Sequence, residues 1–305
     1  MHDPTIRYRG RFAPSPTGPL HFGSLIAAVA SYLEARRNAG EWLVRMENLD
    51  RPREEPGAAD AILHILEAYG FEWDGPVLRQ SERTGAYAAA LAQLQRGGFV
   101  FPCACSRREV SDSLLGTTAE PVYPGTCRSG IAPGRAARAM RMRVDDAVIS
   151  FDDRIQGAFE QDLAREVGDF VVKRSDGLFA YQLAVVVDDF DQGITDVVRG
   201  ADLLASTPRQ MLLQERLGYP SLRYAHLPVA VNPDGEKLSK QTRAAPLAGA
   251  QAQLQLWLSL RFLGQDPPSA LSSEDLGTLW SWARSNWCLE RVPRRRILSE
   301  AGADL

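Results

Sequence analysis

Ile6-Arg-Tyr-Arg-Gly-Arg-Phe-Ala-Pro-Ser-Pro-Thr-Gly-Pro-Leu-His-Phe-Gly-Ser24, continued by an apolar-periodic run and then by Trp42-Leu-Val-Arg-Met-Glu47, decides the fold expectation. Ile6 to Phe12 reads as a short strand that enters a proline- and glycine-rich loop. From Ser24 onward Leu25, Ile26, Val29, Tyr32 and Leu33 share one helical face, and the pattern stops near Gly40. Trp42 to Glu47 is a second compact strand. Strand, loop, helix, strand makes one parallel βαβ unit, expected to be right-handed.

Outward from this unit, helices are expected over Ala58 to Tyr69, closed by Gly70, and over Glu82 to Arg96, stopped by Gly97-Gly98. Residues 100–150 change character: cysteines, prolines and glycines precede an arginine-rich stretch from Arg135 to Arg143. That change marks an inserted subdomain. Strand patterns return at Asp169 to Lys173 and at Phe179 to Val187, and a helix is expected from Pro208 to Leu217. The 65 residues after Lys240 read as mostly helical and carry Trp257, Trp280, Trp282 and Trp287. The fold expectation is α/β: a Rossmann-type parallel sheet split by an insertion, with a small helical C-terminal region. The divisions are 1–99 and 169–245 for the two halves of the nucleotide-binding domain, 100–168 for the insertion and 246–305 for the helical end.

A chain of 305 residues is long enough for a substantial core. A formal net charge of −3 excludes little, because a nucleic-acid face needs only locally concentrated basic residues. Four cysteines are too few for a disulfide scaffold. No apolar run approaches the length of about 18 residues that a membrane helix requires. The N-terminus lacks the basic-then-apolar plan of a secretion signal. A soluble, cytoplasmic monomer is expected, with no membrane partner.

The loop from Pro14 to Ser24 opens onto a helix N-terminus, where unpaired N–H groups and the helix dipole favour phosphate. His21 adds a donor for charge developing on an α-phosphate. Lys237 and Lys240, in the polar segment Asn232 to Gln241, suit a triphosphate that must be bound and released. Glu47, at the carboxyl end of the second strand, can hold an ammonium. Arg11, at the end of the first, can fork a carboxylate. Arg199 follows a strand in Val-Val-Arg-Gly-Ala-Asp202, and Tyr181 lies upstream at a strand start or interior. Two arginines and one glutamate match an amino acid with two carboxylates and one ammonium, glutamate or aspartate. Cys103, Cys105 and Cys127 crowd into 25 residues with Tyr123 among them. The spacing leaves open a tetrahedral metal site or three small buried apolar side chains; Cys288 stands apart and is expected in the core.

Arg-Phe-Ala-Pro-Ser-Pro-Thr-Gly, His-Phe-Gly-Ser24, Arg-Met-Glu-Asn-Leu-Asp50, Pro-Cys-Ala-Cys-Ser-Arg107, Val-Val-Arg-Gly-Ala-Asp202 and Lys237-Leu-Ser-Lys-Gln241 together resemble the glutamyl branch of class I aminoacyl-tRNA synthetases. The likeness runs from about residue 7 to 245. It implies a glutamate pocket of Arg11, Ala13, Ser15, Glu47, Tyr181 and Arg199. It also implies an ATP site of Pro14, Gly18, His21, Gly23, Ser24, Lys237, Ser239 and Lys240, with His21, Lys237 and Lys240 in catalytic roles and magnesium accompanying ATP. Ser24 stands where the first motif ideally has a second histidine, and Gln241 where the second ideally ends in serine. Those departures, with only 64 residues after Gln241, resemble the truncated glutamyl-Q tRNA(Asp) family.

That family resemblance implies tRNA-independent activation of L-glutamate by ATP and transfer to queuosine in the anticodon loop of tRNA(Asp). It also implies structural zinc on Cys103, Cys105, Tyr123 and Cys127. Three other readings stay open at this level. One is a tRNA(Glu)-charging core with a separate anticodon-binding partner. Another is an RNA-independent nucleotidyltransferase that adenylates a small carboxylate. The third is a non-catalytic RNA-binding remnant. Arg135, Arg138, Arg141 and Arg143 are the basic residues expected nearest RNA, ahead of the Arg291 to Arg296 cluster.

Overall fold

A computed structural model describes residues 7–112, 122–232 and 245–299. Strand β1 (Arg9–Phe12) leads through the Pro/Gly loop into helix α1 (Phe22–Arg37), which returns to strand β2 (Glu41–Met46). The two strands are parallel, with Arg9 opposite Glu41 and Phe12 opposite Val44. Helix α2 (Ala58–Ala68) and the short β3 (Leu78–Arg79) follow, then α3 (Thr84–Arg96). The insertion holds β4 (Val100–Cys103), α4 (Arg107–Asp112), β5 (Ala139–Met142), the hairpin β6 (Val148–Asp153) and β7 (Gly157–Asp162), α5 (Leu163–Glu166) and β8 (Phe170–Lys173). The chain re-enters the first layer with α6 (Tyr181–Asp191), β9 (Asp196–Gly200), α7 (Thr207–Leu217), β10 (Arg223–Leu227) and β11 (Val229–Val231). It ends in α8 (Ala252–Phe262), α9 (Leu276–Asn286) and β12 (Ile297–Ser299), which pairs in parallel with β11.

Parallel pairing gives β3-β2-β1 on one side and β9-β10 on the other. Thr195 joins the two groups, donating its N–H to the Arg9 carbonyl at 2.9 Å. The chain leaves β1 toward β2 through α1, while β9 lies on the opposite flank. That is the topological switch point at which open α/β sheets bind ligands. Antiparallel β4-β5-β8 forms the separate sheet of the insertion.

Strand alternation assigns the two faces. Trp42, Val44 and Met46 turn toward α1, where Trp42 packs on Tyr32 and donates its indole N–H to Ser31 at 3.0 Å. Arg11 and Arg45 turn the other way, toward α6. Helix α1 is buried beyond a single stripe: Ala28, Ala30, Ser31, Glu34 and Ala35 are covered as well. The second cover comes from α8 and α9, whose Leu256, Leu260, Trp280 and Ala283 join the same core as Leu25 and Val29.

Three expectations fail. Phe179 to Val187 is not a strand: Tyr181 begins helix α6, which runs to Asp191. A short continuous apolar run does not separate a buried helix from a buried strand. Here burial against α3 and α7 overrides the strand preference of Val185 to Val187. Cys288 is half-buried rather than core, and its thiol donates to Glu290 at 3.2 Å. Arg199 lies within β9 rather than after it.

Candidate active site

A cavity of about 410 Å³ opens at the carboxyl ends of β1 and β9 and at the first turn of α1. Its lining includes Arg11, Ala13, Pro14, Ser15, His21, Gly23, Ser24, Glu47, Tyr181 and Arg199, which sequence separates by as much as 188 positions (199 − 11). The loop after β1 is tied down by the Glu47 N–H, which donates to the Pro14 carbonyl at 2.9 Å. Gly18 turns this loop at a φ of 133°, where a side chain would be strained.

His21 caps α1. Its Nδ1 accepts from the Ser24 N–H at 3.3 Å, so the neutral ring carries its proton on Nε2, as a donor. No acidic residue occupies the first turn of α1, which leaves the helix dipole available to an anion. The capping role and the phosphate-donor role are therefore compatible on one ring.

At the other end of the cavity, charges are set by a buried network. Arg11 Nε and Arg45 Nη2 both donate to Asp189 Oδ1, at 3.2 and 2.7 Å. Arg45 also lies 3.8 Å from Glu47. Burial alone would raise the Asp189 carboxyl, but Arg11 and Arg45 outweigh it and hold that carboxyl below its ordinary range. Glu47 goes the other way: burial, only partly offset by Arg45 and Arg11, pushes it up to about 7. Among the described residues, Glu47 Oε1 and Arg199 Nη1 are buried without a hydrogen-bond partner. Each unpaired buried polar atom costs about 1–3 kcal/mol. A ligand bringing an ammonium to Glu47 and a carboxylate to Arg199 would relieve both.

Asp189, Arg45 and their supports Asp188, Gln80 and Tyr87 were not singled out from the sequence. Asp188 accepts from Gln80 Nε2 at 2.8 Å and Arg83 Nε at 2.6 Å, just ahead of α3, and from Tyr87 Oη within it at 2.9 Å, so α3 and α6 are pinned together behind the pocket. A period-two signal did exist for Arg45, which shares its strand face with Leu43 two residues before it.

A second chamber of about 460 Å³ shares Ala13, Ser15, Glu47, Tyr181 and Leu203 with the first. It adds Asp50, Arg53, Arg174 and Phe179, on the side away from His21 and Ser24. Asp50 there accepts from Arg53 at 2.8 Å and Arg174 at 3.0 Å.

A sequence profile for class I tRNA synthetases (E and Q), catalytic domain, matches residues 7–261. A protein of Dechloromonas aromatica named glutamyl-Q tRNA(Asp) synthetase is 60% identical over 293 residues, covering 95% of this chain and 97% of its own length. One of the same name from Aromatoleum aromaticum is 57% identical over 303 residues, covering 99% and 96%.

The chain belongs to the class I tRNA synthetase (E and Q) family, on its glutamyl-Q tRNA(Asp) branch.

Among solved structures, a glutamate tRNA ligase of Elizabethkingia meningosepticum, in complex with its amino acid, superposes with a TM-score of 0.78 at 25% identity. The match covers 97% of this chain and 68% of that one. As a class I synthetase the chain is a ligase. Among the described residues no helix is long and apolar enough to cross a membrane.

Lys237, Ser239, Lys240 and Gln241 lie outside the described residues. The described residues that flank them do touch the site: Val229 and Ala230 line the cavity, and Pro246 bridges to His21.

The cysteine cluster stands apart, in the insertion. The Sγ atoms of Cys103, Cys105 and Cys127 lie within 4.8 Å of one another, and those of Cys105 and Cys127 are 3.7 Å apart. Tyr123 Oη is 3.4 Å from Cys103 Sγ and 3.8 Å from Cys105 Sγ. Sulfurs sharing a tetrahedral zinc at ordinary bond lengths sit about 3.8 Å apart, so the donor set fits such an ion. Arg141 stacks over Tyr123 at 4.0 Å and donates to Cys103 Sγ at 3.3 Å. Arg143 covers Phe101 and donates to the Arg128 carbonyl, and Arg135 pairs with Glu109. Of the four arginines expected near RNA, these three serve contacts inside the insertion; Arg138 is exposed.

Proposed function

We propose that this chain activates L-glutamate with ATP, without RNA, and passes the glutamyl group to queuosine at the wobble position of tRNA(Asp). The observation that carries this reading is the pairing of two unsatisfied buried atoms, Glu47 Oε1 and Arg199 Nη1, across one cavity beside the phosphate-favouring end of α1. The names of its relatives support the acceptor. In this reading Glu47 takes the substrate ammonium, and Arg11 and Arg199 take its carboxylates. Ala13, Ser15 and Tyr181 shape the walls.

ATP with magnesium lies along Pro14, Gly18, His21, Gly23 and Ser24, and Lys237, Ser239 and Lys240 supply further groups for its phosphates. A glutamate α-carboxylate oxygen attacks the α-phosphorus and the bond to pyrophosphate breaks. His21 Nε2–H and the lysines stabilise the charge that develops. A hydroxyl of the acceptor then attacks the adenylate carbonyl, an ester forms and AMP leaves. Positioning suffices for both steps, so no covalent enzyme intermediate is required. The second chamber, with Asp50, Arg174 and Phe179, is where the acceptor enters.

Zinc bound by Cys103, Cys105, Tyr123 and Cys127 would pin the insertion, leaving the reacting atoms untouched. The divisions at 99/100 and 245/246 follow the same logic of a catalytic domain split by an acceptor-facing insertion; the division expected at 168/169 moves past Lys173, because β8 pairs with β5 of the insertion.

The test is twofold. Glutamate-dependent ATP–pyrophosphate exchange without RNA should be present. Radiolabelled glutamate should then enter queuosine-containing tRNA(Asp) but neither its queuosine-free form nor tRNA(Glu). Labelling of tRNA(Glu) instead would overturn the acceptor assignment.

A further inference from the structure

Asp153, His226 and Arg199 form a buried chain from the tip of the insertion hairpin to the cavity wall. We infer that it positions Arg199 for the substrate carboxylate by holding His226 as the Nδ1–H tautomer. The inference rests on Arg199 as a glutamate ligand.

Register starts the argument. Parallel β9 and β10 place His226 opposite Arg199, so the two side chains share one sheet face. Arg199 Nε donates to His226 Nε2 at 3.1 Å, and a guanidinium cannot accept. Nε2 must therefore present a lone pair. The ring proton then sits on Nδ1, directed at Asp153 Oδ2 at 2.5 Å. Burial, with the Arg199 charge, keeps His226 below its ordinary pKa despite Asp153.

Asp153 is itself fixed. Its Oδ1 accepts the backbone N–H groups of Ile155, Gln156 and His226 at 3.0, 2.9 and 3.0 Å. Gln156 Nε2 also donates to the His226 carbonyl at 2.8 Å. The β6–β7 turn thus grips β10 by main chain and side chain together.

On the far side, Arg199 Nη2 donates to Thr207 Oγ1 at 2.8 Å. With Nε and Nη2 committed away from the cavity, Nη1 is the guanidinium nitrogen left without a partner. The hairpin therefore dictates which edge of Arg199 meets the substrate.

The test uses ATP–pyrophosphate exchange with four variants. His226→Leu removes the acceptor and should raise the glutamate KM about tenfold or more, the worth of one hydrogen bond to a charged group. The ATP KM should stay within about twofold. His226→Gln can offer an amide oxygen near the Nε2 position and should stay within about threefold of the parent. Asp153→Asn must present either an N–H or a weaker acceptor to Nδ1, and should behave like His226→Leu. In ¹⁵N-histidine-labelled parent protein, the ring with a protonated Nδ1 and a bare Nε2 should be resolved among the four histidines, and should be lost in Asp153→Asn.

A folded His226→Leu with parental glutamate KM overturns the inference, as does an Nε2-protonated His226 in the parent. If the variants do not fold, the parent spectrum still decides. Arg199→Ala separates the levels. If it leaves the glutamate KM unchanged, the pocket assignment fails and this inference with it. If it raises that KM while His226→Leu does not, only the positioning chain fails.

Discussion

Glu47 is a carboxyl that burial pushes up to about 7, so at neutral pH it is divided between neutral and charged forms. Only the carboxylate attracts an ammonium. Below pH 7 the glutamate KM for exchange should rise, approaching tenfold per pH unit. Glu47→Gln should flatten that limb and weaken glutamate by about a hundredfold. The stability sign follows from the same shift. The folded pKa exceeds the unfolded value of 4.5, so the folded state holds the proton more tightly. The associated stability is present at low pH and is lost as pH rises through 7. Glu47→Gln should therefore be more stable to urea than the parent at pH 8, by up to about 3 kcal/mol of unfolding free energy, and the gap should shrink toward pH 5. Equal midpoints at both pH values would show that Glu47 is not destabilised. Glu47, Arg11 and Arg199 were legible in the sequence because strand ends at a switch point declare themselves through charge. Their supports were not. Asp189 is 178 positions from the Arg11 it neutralises, and no local pattern links the two.

Helix α6 shows what element-scale reading loses and why. Its apolar run ends in Asp188, Asp189 and Asp191, at the helix end where the dipole disfavours negative charge. Arg11 from β1, Arg45 from β2 and Arg83 from just ahead of α3 neutralise those carboxylates. A buried ion pair is stabilising only while complete. Arg45→Met should therefore cost about 3–5 kcal/mol in urea unfolding, because Asp189 loses its shorter contact and Glu47 its counter-charge. A loss under about 1 kcal/mol would mean that water reaches the site and screens it. The insertion behaves as a different element. Its cysteine cluster shares no residue with either chamber. The parent is expected to carry about one equivalent of zinc by elemental analysis, and Cys127→Ser should lose it and lower the thermal midpoint. Exchange should remain within about twofold, while transfer to tRNA falls. Cysteine spacing made the cluster legible; the stacking of Arg141 on Tyr123 was not, since it joins strand β5 to a separate segment of the insertion.

At the scale of the whole molecule, the helical C-terminal region is part of the catalytic core. Sequence periodicity located α8 and α9 but could not say what they cover, since an apolar stripe names no partner. The structure lays them on α1, and that explains why α1 is buried on more than one face. Trp280 donates its indole N–H to the Tyr69 carbonyl at 2.8 Å and packs edge-on against Tyr32 and Phe71. Glu34, buried on α1, accepts from Trp287 Nε1 at 2.8 Å and from Arg154 Nη2 at 2.7 Å. One carboxylate thus joins the first helix, the insertion hairpin and the C-terminal region. Such a joint predicts a single cooperative transition. Tryptophan fluorescence and far-ultraviolet circular dichroism should report the same urea midpoint. Trp280→Ala should cost about 3–5 kcal/mol of stability, the cost of an aromatic cavity, and lower the midpoint for both signals together. A chain ending at residue 245 would expose Leu25, Ile26, Val29 and Tyr32 and leave Glu34 without its indole donor. It should be recovered insoluble or without fixed tertiary structure. A soluble truncated chain with parental exchange activity would show instead that the terminal helices are an appendage and that α1 stands without them.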